Sequence, residues 1–150
     1  MKYCNFLFFA IIFFIPVQDE FVVFQAEETE VEKAETGYEI KLSFKILDGY
    51  YIQAETGVPE NIIPTQVSFK KNEFYEITRH KFFSEGEQTI FLGTVAHNVL
   101  SDSFELRVFL KLKKEDLKQV KKLSGKIFYQ ACNNRQCFFP RNLDFEVEFI

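Results

Sequence analysis

The sequence has no tryptophan, only two histidines, and no place where basic charge or apolar residues accumulate at length. Each shortage excludes something. A tetrahedral zinc site draws four ligands from cysteine, histidine and carboxylate. Here His80 and His97 accompany one closely spaced cysteine pair and no second one. There is no glycine-rich phosphate loop, no nucleophile elbow and no paired-histidine zinc motif, which argues against an independent hydrolase or metalloenzyme. No metal or cofactor is expected. The densest basic tract, KLKKEDLKQVKK, is interrupted by acidic residues, and the formal net charge is −4. Phosphate binding needs a dominant basic surface, so nucleic acid is not an expected partner. The longest uninterrupted apolar run, Phe6 to Val17, has twelve residues, whereas a helix needs about 20 to cross a bilayer.

What is present is phenylalanine, 20 of 150 residues, within a composition that is 47% hydrophobic and 27% charged. That length supports one domain with a substantial core, and aromatic side chains suit half-buried pleated surfaces. Tyr38, Ile40, Leu42, Phe44 and Ile46 alternate with polar residues, as do Phe104 to Leu112 and Leu143 to Phe149. A period of two marks a strand with one buried face. Weaker strands are expected at Gln66 to Phe69, Phe74 to Arg79, Thr89 to Val95 and Lys126 to Ala131, with Gly and Pro between them. The expected fold is all-β, an antiparallel sandwich. Leu117, Val120 and Leu123 have helical spacing, which predicts a short connecting helix within Lys113 to Leu123.

The N-terminus reads as an export signal: Lys2, the apolar run, then Gln18, Asp19 and Glu20. Ala26 is its expected last residue, giving a signal over 1–26, a charged flexible lead-in over 27–37, and a folded domain over 38–150. An uncleaved signal would be the one route to a membrane. Cleavage removes Cys4 and leaves Cys132 and Cys137, an even number in a compartment where disulfides form.

These two cysteines lie across Asn133, Asn134, Arg135 and Gln136 in the segment YQACNNRQCFFPR. Asparagine favours turns, and residues facing across an antiparallel hairpin bring their Cβ atoms within about 4.5 to 5.5 Å, close to disulfide range. Three readings stay open: a redox-active pair, a structural staple and a metal ligand pair. A loop this short makes a staple worth only about 2 kcal/mol. Arg135 and Arg141 are placed to stabilise a thiolate, and Phe138 and Phe139 point to opposite faces if both are in a strand.

Two blocks carry a family resemblance: LDGYYIQAETGVPENIIPTQVSF, Leu47 to Phe69, and LSGKIFYQACNNRQCFFPR, Leu123 to Arg141. They resemble the N-terminal domain of the thiol:disulfide interchange protein DsbD family, over roughly Tyr38 to Ile150. The resemblance implies an immunoglobulin-like domain in the periplasm that passes reducing equivalents between thioredoxin-fold oxidoreductases. By position, Cys137 would be the attacking thiol and Cys132 the resolving one. Tyr129, Gln130, Arg135, Phe138, Phe139 and Pro140 would frame the site. Family members shield the pair with an aromatic cap loop, and Phe82 or Phe83 is the expected lid here. With the sequence ending at Ile150, the electron donor and acceptor are expected to act in trans. The competing expectation is a secreted immunoglobulin-like interaction domain with a structural hairpin disulfide.

Overall fold

The computed structural model describes residues 20–35, 37–113 and 120–149. Eleven strands in these residues form three antiparallel sheets. The first contains β1 (Val22–Ala34), β2 (Gly37–Ile46), β8 (Ser103–Leu112) and β5 (Tyr75–Phe83), in the order β1-β2-β8-β5. Facing it is β11-β9-β4, made of β11 (Arg141–Phe149), β9 (Lys121–Tyr129) and β4 (Gln66–Phe69). The third sheet, β10-β3-β7-β6, is smaller: β10 (Ala131–Cys132), β3 (Tyr51–Gln53), β7 (Val95–Ser101) and β6 (Glu87–Leu92).

Alternation explains the main core. Ile40, Leu42, Phe44 and Ile46 on β2, with Leu106, Val108 and Leu110 on β8, are all at most 4% exposed. Across the core, Phe145 presents its edge to Phe44 at 6.0 Å between centroids, and Phe149 does the same to Tyr38 at 5.2 Å. Phe104 stacks on Phe44 at 4.9 Å. Edge and offset arrangements of this kind add about 0.5–1.5 kcal/mol per pair beyond the area they bury. Gly125 on β9 is needed for close approach. A Cβ there would lie 2.4 Å from the Phe145 ring and 2.7 Å from the Ser68 carbonyl oxygen.

The N-terminal strand differs from the expectation. Residues 27–34, read as a flexible lead-in, belong to β1, and core packing reaches back at least to Phe21. The reason is that this is an edge strand. Its backbone pairs with β2 while its charged side chains stay in water, with Glu30 and Glu32 both paired to Lys41. Charge on an edge also discourages pairing with another chain, so a polar composition is no argument against a strand there. Phe21 and Val22, inside the expected signal, are 3% and 0% exposed. The rest of that signal, residues 1–19, lies outside the described residues. The expected connecting helix falls largely on 114–119, also outside them, and Lys121 to Leu123 are strand.

Candidate functional site

The second half of β9 leads into the site. After Tyr129 the chain leaves the β11-β9-β4 sheet, passes Gln130, and enters the small sheet as β10, where Cys132 pairs with Tyr51 on β3. Asn133 then closes the turn. Its backbone N–H donates to the Gln136 carbonyl at 2.9 Å, and its side-chain Oδ1 accepts the N–H groups of Arg135 and Gln136, both at 2.9 Å. This is the self-bonding that makes asparagine a turn residue. The turn returns the chain to Cys137, which bridges back to Cys132 with a Cα separation of 3.9 Å and a disulfide bond.

The two sulfur-bearing residues are not equivalent. Cys132 is 0% exposed, whereas Cys137 is exposed on the turn. Behind them Gln130 donates its side-chain N–H to the Phe138 carbonyl at 3.1 Å, and Phe138 donates its backbone N–H to Ala131 at 2.8 Å. Phe138 is half-buried against Phe21 and Tyr50, at 4.7 and 5.7 Å, while Phe139 is 89% exposed. One phenylalanine therefore anchors the site and the other faces solvent. Tyr129 is buried. Burial pushes its hydroxyl pKa up, opposed by backbone hydrogen bonds from Phe21 and Val22. The start of β1 is thereby tied to the wall of the site. Arg135 lies exposed in the turn, Pro140 leads into β11, and Arg141 stacks its guanidinium over Phe21 at 5.0 Å.

Phe82 and Phe83, the expected lid, have ring contacts elsewhere among the described residues. Both are on β5, where Phe82 packs on Phe104 at 5.9 Å and Phe83 lies under the Arg107 and Lys81 cations. What lies beside the pair instead is the β6–β7 hairpin. A groove of about 460 Å³ runs between Tyr50, Tyr51, Ile90, Phe91 and the Asn133 to Cys137 turn. Phe91 is 68% exposed at its rim, and Gly93, with φ +63°, makes the tight reversal next to it. The sequence carried a signal for this in IFLGT, apolar residues running into a glycine. Read as one strand from Thr89 to Val95, it conceals the turn.

Two further residues escaped sequence reasoning. Gln53 and His97 are buried, 0% and 1% exposed, and hydrogen-bonded to each other, and Gln53 also reaches Cys132 Sγ. Burial holds the His97 imidazole below its ordinary pKa, in the neutral form. Thr65 Oγ1 donates to the Gln53 backbone carbonyl at 2.5 Å, fixing β3 from the other side. His80, by contrast, is half-buried beside Glu55, at 3.3 Å.

No family model and no curated protein matches the chain. Solved structures do. The N-terminal periplasmic domain of ScsB from Proteus mirabilis aligns with a TM-score of 0.51 and 12% identity, over 80% of this chain and 43% of that one. The reduced N-terminal domain of DsbD from Neisseria meningitidis aligns with a TM-score of 0.45 and 16% identity, over 81% of this chain and 83% of that one. At such identities the likeness is one of architecture. The chain is an all-β sandwich whose fold is similar to that of the N-terminal periplasmic domain of ScsB.

Proposed function

We propose that this protein is a thiol:disulfide exchange domain that passes reducing equivalents between thioredoxin-fold partners through Cys132 and Cys137. The observation that carries the reading is the asymmetry of the pair, with Cys132 fully buried and Cys137 an exposed residue beside an aromatic-rimmed groove. Exchange proceeds by thiolate attack on a disulfide sulfur and depends on access. A staple has no need of an exposed cysteine, and its turn is already closed by three hydrogen bonds around Asn133.

In the reducing direction the Cys137 thiolate attacks one sulfur of a partner disulfide. That bond breaks and its other sulfur leaves as a thiolate, which takes up a proton. Cys132, having lost its proton, then attacks Cys137 Sγ and expels the partner sulfur bonded to it as a thiolate, which also takes up a proton. Two electrons have moved to the partner, and the Cys132–Cys137 bond is restored. Gln130, Tyr129, Phe138 and Pro140 hold the frame. Phe139 and Arg135 face the partner, and Phe91 on the β6–β7 hairpin takes the lid role that the family resemblance assigns to a cap loop.

The same reading makes the protein periplasmic or otherwise exported, with a signal that ends ahead of Phe21. Cleavage after Ala26 would strip Phe21, Val22 and Phe24 from the core, where Phe24 packs on Phe44 at 5.2 Å. The N-terminal residue of the exported protein, read by mass spectrometry, is expected at or before Phe21.

A redox titration against glutathione tests the exchange reading. Exchange proteins poise at about −120 to −270 mV and structural disulfides below about −300 mV. A value in the first range supports exchange, and one in the second supports a secreted interaction domain with a structural bond.

A further inference from the structure

Gln53 spans the distance between the buried sulfur and the buried imidazole. Its Nε2 lies 3.4 Å from Cys132 Sγ, and its Oε1 lies 2.7 Å from His97 Nδ1. The three side chains come from β10, β3 and β7, neighbours in the small sheet. Chemistry sets the direction of the chain of bonds. A disulfide sulfur carries no hydrogen and can only accept, so the amide must present its NH₂ to Cys132. The amide carbonyl then faces His97, which makes Nδ1 the protonated nitrogen and leaves Nε2 bare. Consistent with this, His97 Nε2 is buried without a hydrogen-bond partner among the described residues. Burying an amide and an imidazole costs free energy that an apolar pair would not. The donor they place on Cys132 becomes stronger when that sulfur is charged, since hydrogen bonds to ionised groups are about twice as strong as neutral ones.

We propose that Gln53 is a catalytic hydrogen-bond donor to Cys132 as the leaving sulfur, and that His97 is the positioning residue that holds the amide in that orientation. When an external thiolate attacks Sγ of the exposed residue Cys137, a new S–S bond forms there and the Cys132–Cys137 bond breaks. The electron pair of the broken bond goes to Cys132 Sγ, which leaves as a thiolate facing the Gln53 N–H. A stabilised leaving thiolate departs faster and makes the reduced state more accessible. The inference takes its purpose from the exchange reading, yet its test needs no protein partner.

The experiment equilibrates the whole protein with reduced and oxidised glutathione at fixed neutral pH, for the parent and for Gln53→Met, His97→Leu and His97→Asn. Methionine keeps the length of Gln53 without a donor. Asparagine keeps an N–H near the position of Nδ1. Gln53→Met is expected to shift the equilibrium about tenfold toward the disulfide, which for this two-electron couple is about 30 mV more negative. His97→Leu should move it in the same direction by less, and His97→Asn should return it to within about twofold of the parent. A folded Gln53→Met with an equilibrium within about twofold of the parent overturns the proposal. If Gln53→Met does not fold, the two His97 variants decide: leucine shifted with asparagine restored supports it, and equal behaviour of the two overturns it. A parent that fails to exchange with any thioredoxin-fold protein sinks the functional reading alone, while an unshifted equilibrium in an exchanging protein sinks only this inference.

Discussion

The two ends of the molecule bury different things. Between the β1-β2-β8-β5 and β11-β9-β4 sheets the core is aromatic and aliphatic, with Phe44, Phe104, Phe145 and Phe149 at its centre. In and beside the small sheet, Gln53, Thr65 and His97 are as deeply buried as any phenylalanine, next to Cys132. The first region gains stability from area removed from water. The second gives some up, because each buried polar group must be matched by a partner to break even. The contrast assigns stability to one region and chemistry to the other, and each assignment can be broken separately.

The largest effect is expected in the aromatic core. Phe44→Ala should cost about 3–5 kcal/mol in urea unfolding, with the glutathione equilibrium of the folded protein unchanged. A shift in that equilibrium would mean that the two regions are coupled. Reducing the disulfide should cost only about 2 kcal/mol, as expected for a bond closing so short a loop. A loss as large as that of Phe44→Ala would make the bond a staple and the contrast false.

Acid should act on the polar region through His97. Its folded pKa is lowered from 6.5 by burial, so as pH falls below 6.5 the unfolded chain takes up a proton that the folded one refuses. Stability is therefore full above that value and declines as pH falls toward the lowered folded pKa, by at most about 1.4 kcal/mol per pH unit. His97→Asn should flatten the decline between pH 6.5 and the folded pKa, which chemical denaturation at a series of pH values would show. The smallest effect on stability belongs to Phe91→Ala, within about 0.5 kcal/mol at so exposed a site. Reduction of the disulfide by dithiothreitol should nonetheless become faster, because a ring at the rim of the groove is gone. An unchanged rate would take Phe91 out of the site.

Legibility in the sequence followed the same division. Strands β2, β8 and β11 could be read from strict alternation, since one face of each meets the hydrocarbon core. β7 could not, because VAHNVLS places a histidine on the buried face where the pattern calls for an apolar residue. β1 was missed for the opposite reason: its charged residues ride on an edge, where backbone pairing alone makes the strand. The cysteine pair was legible from its spacing and the asparagine turn. The Gln53–His97 chain was not, because it is assembled from residues 44 positions apart that only strand pairing brings together. Phe82 and Phe83 were expected at the site because the family resemblance implies an aromatic cap loop; on β5 their rings meet Phe104 and the Arg107 guanidinium.

The central claim, that Cys137 meets the partner and Cys132 resolves, is tested most directly with single-cysteine variants. The Cys132→Ala and Cys137→Ala proteins would each be mixed with a thioredoxin lacking its second active-site cysteine and activated as the mixed disulfide with thionitrobenzoate. Attack by a free cysteine displaces the coloured thiolate and leaves a protein–protein disulfide. Cys132→Ala, which keeps the exposed Cys137, should release colour rapidly and give the adduct on a non-reducing gel, with Cys137→Ala far slower. Equal rates, a faster Cys137→Ala, or no adduct from either variant would contradict the account.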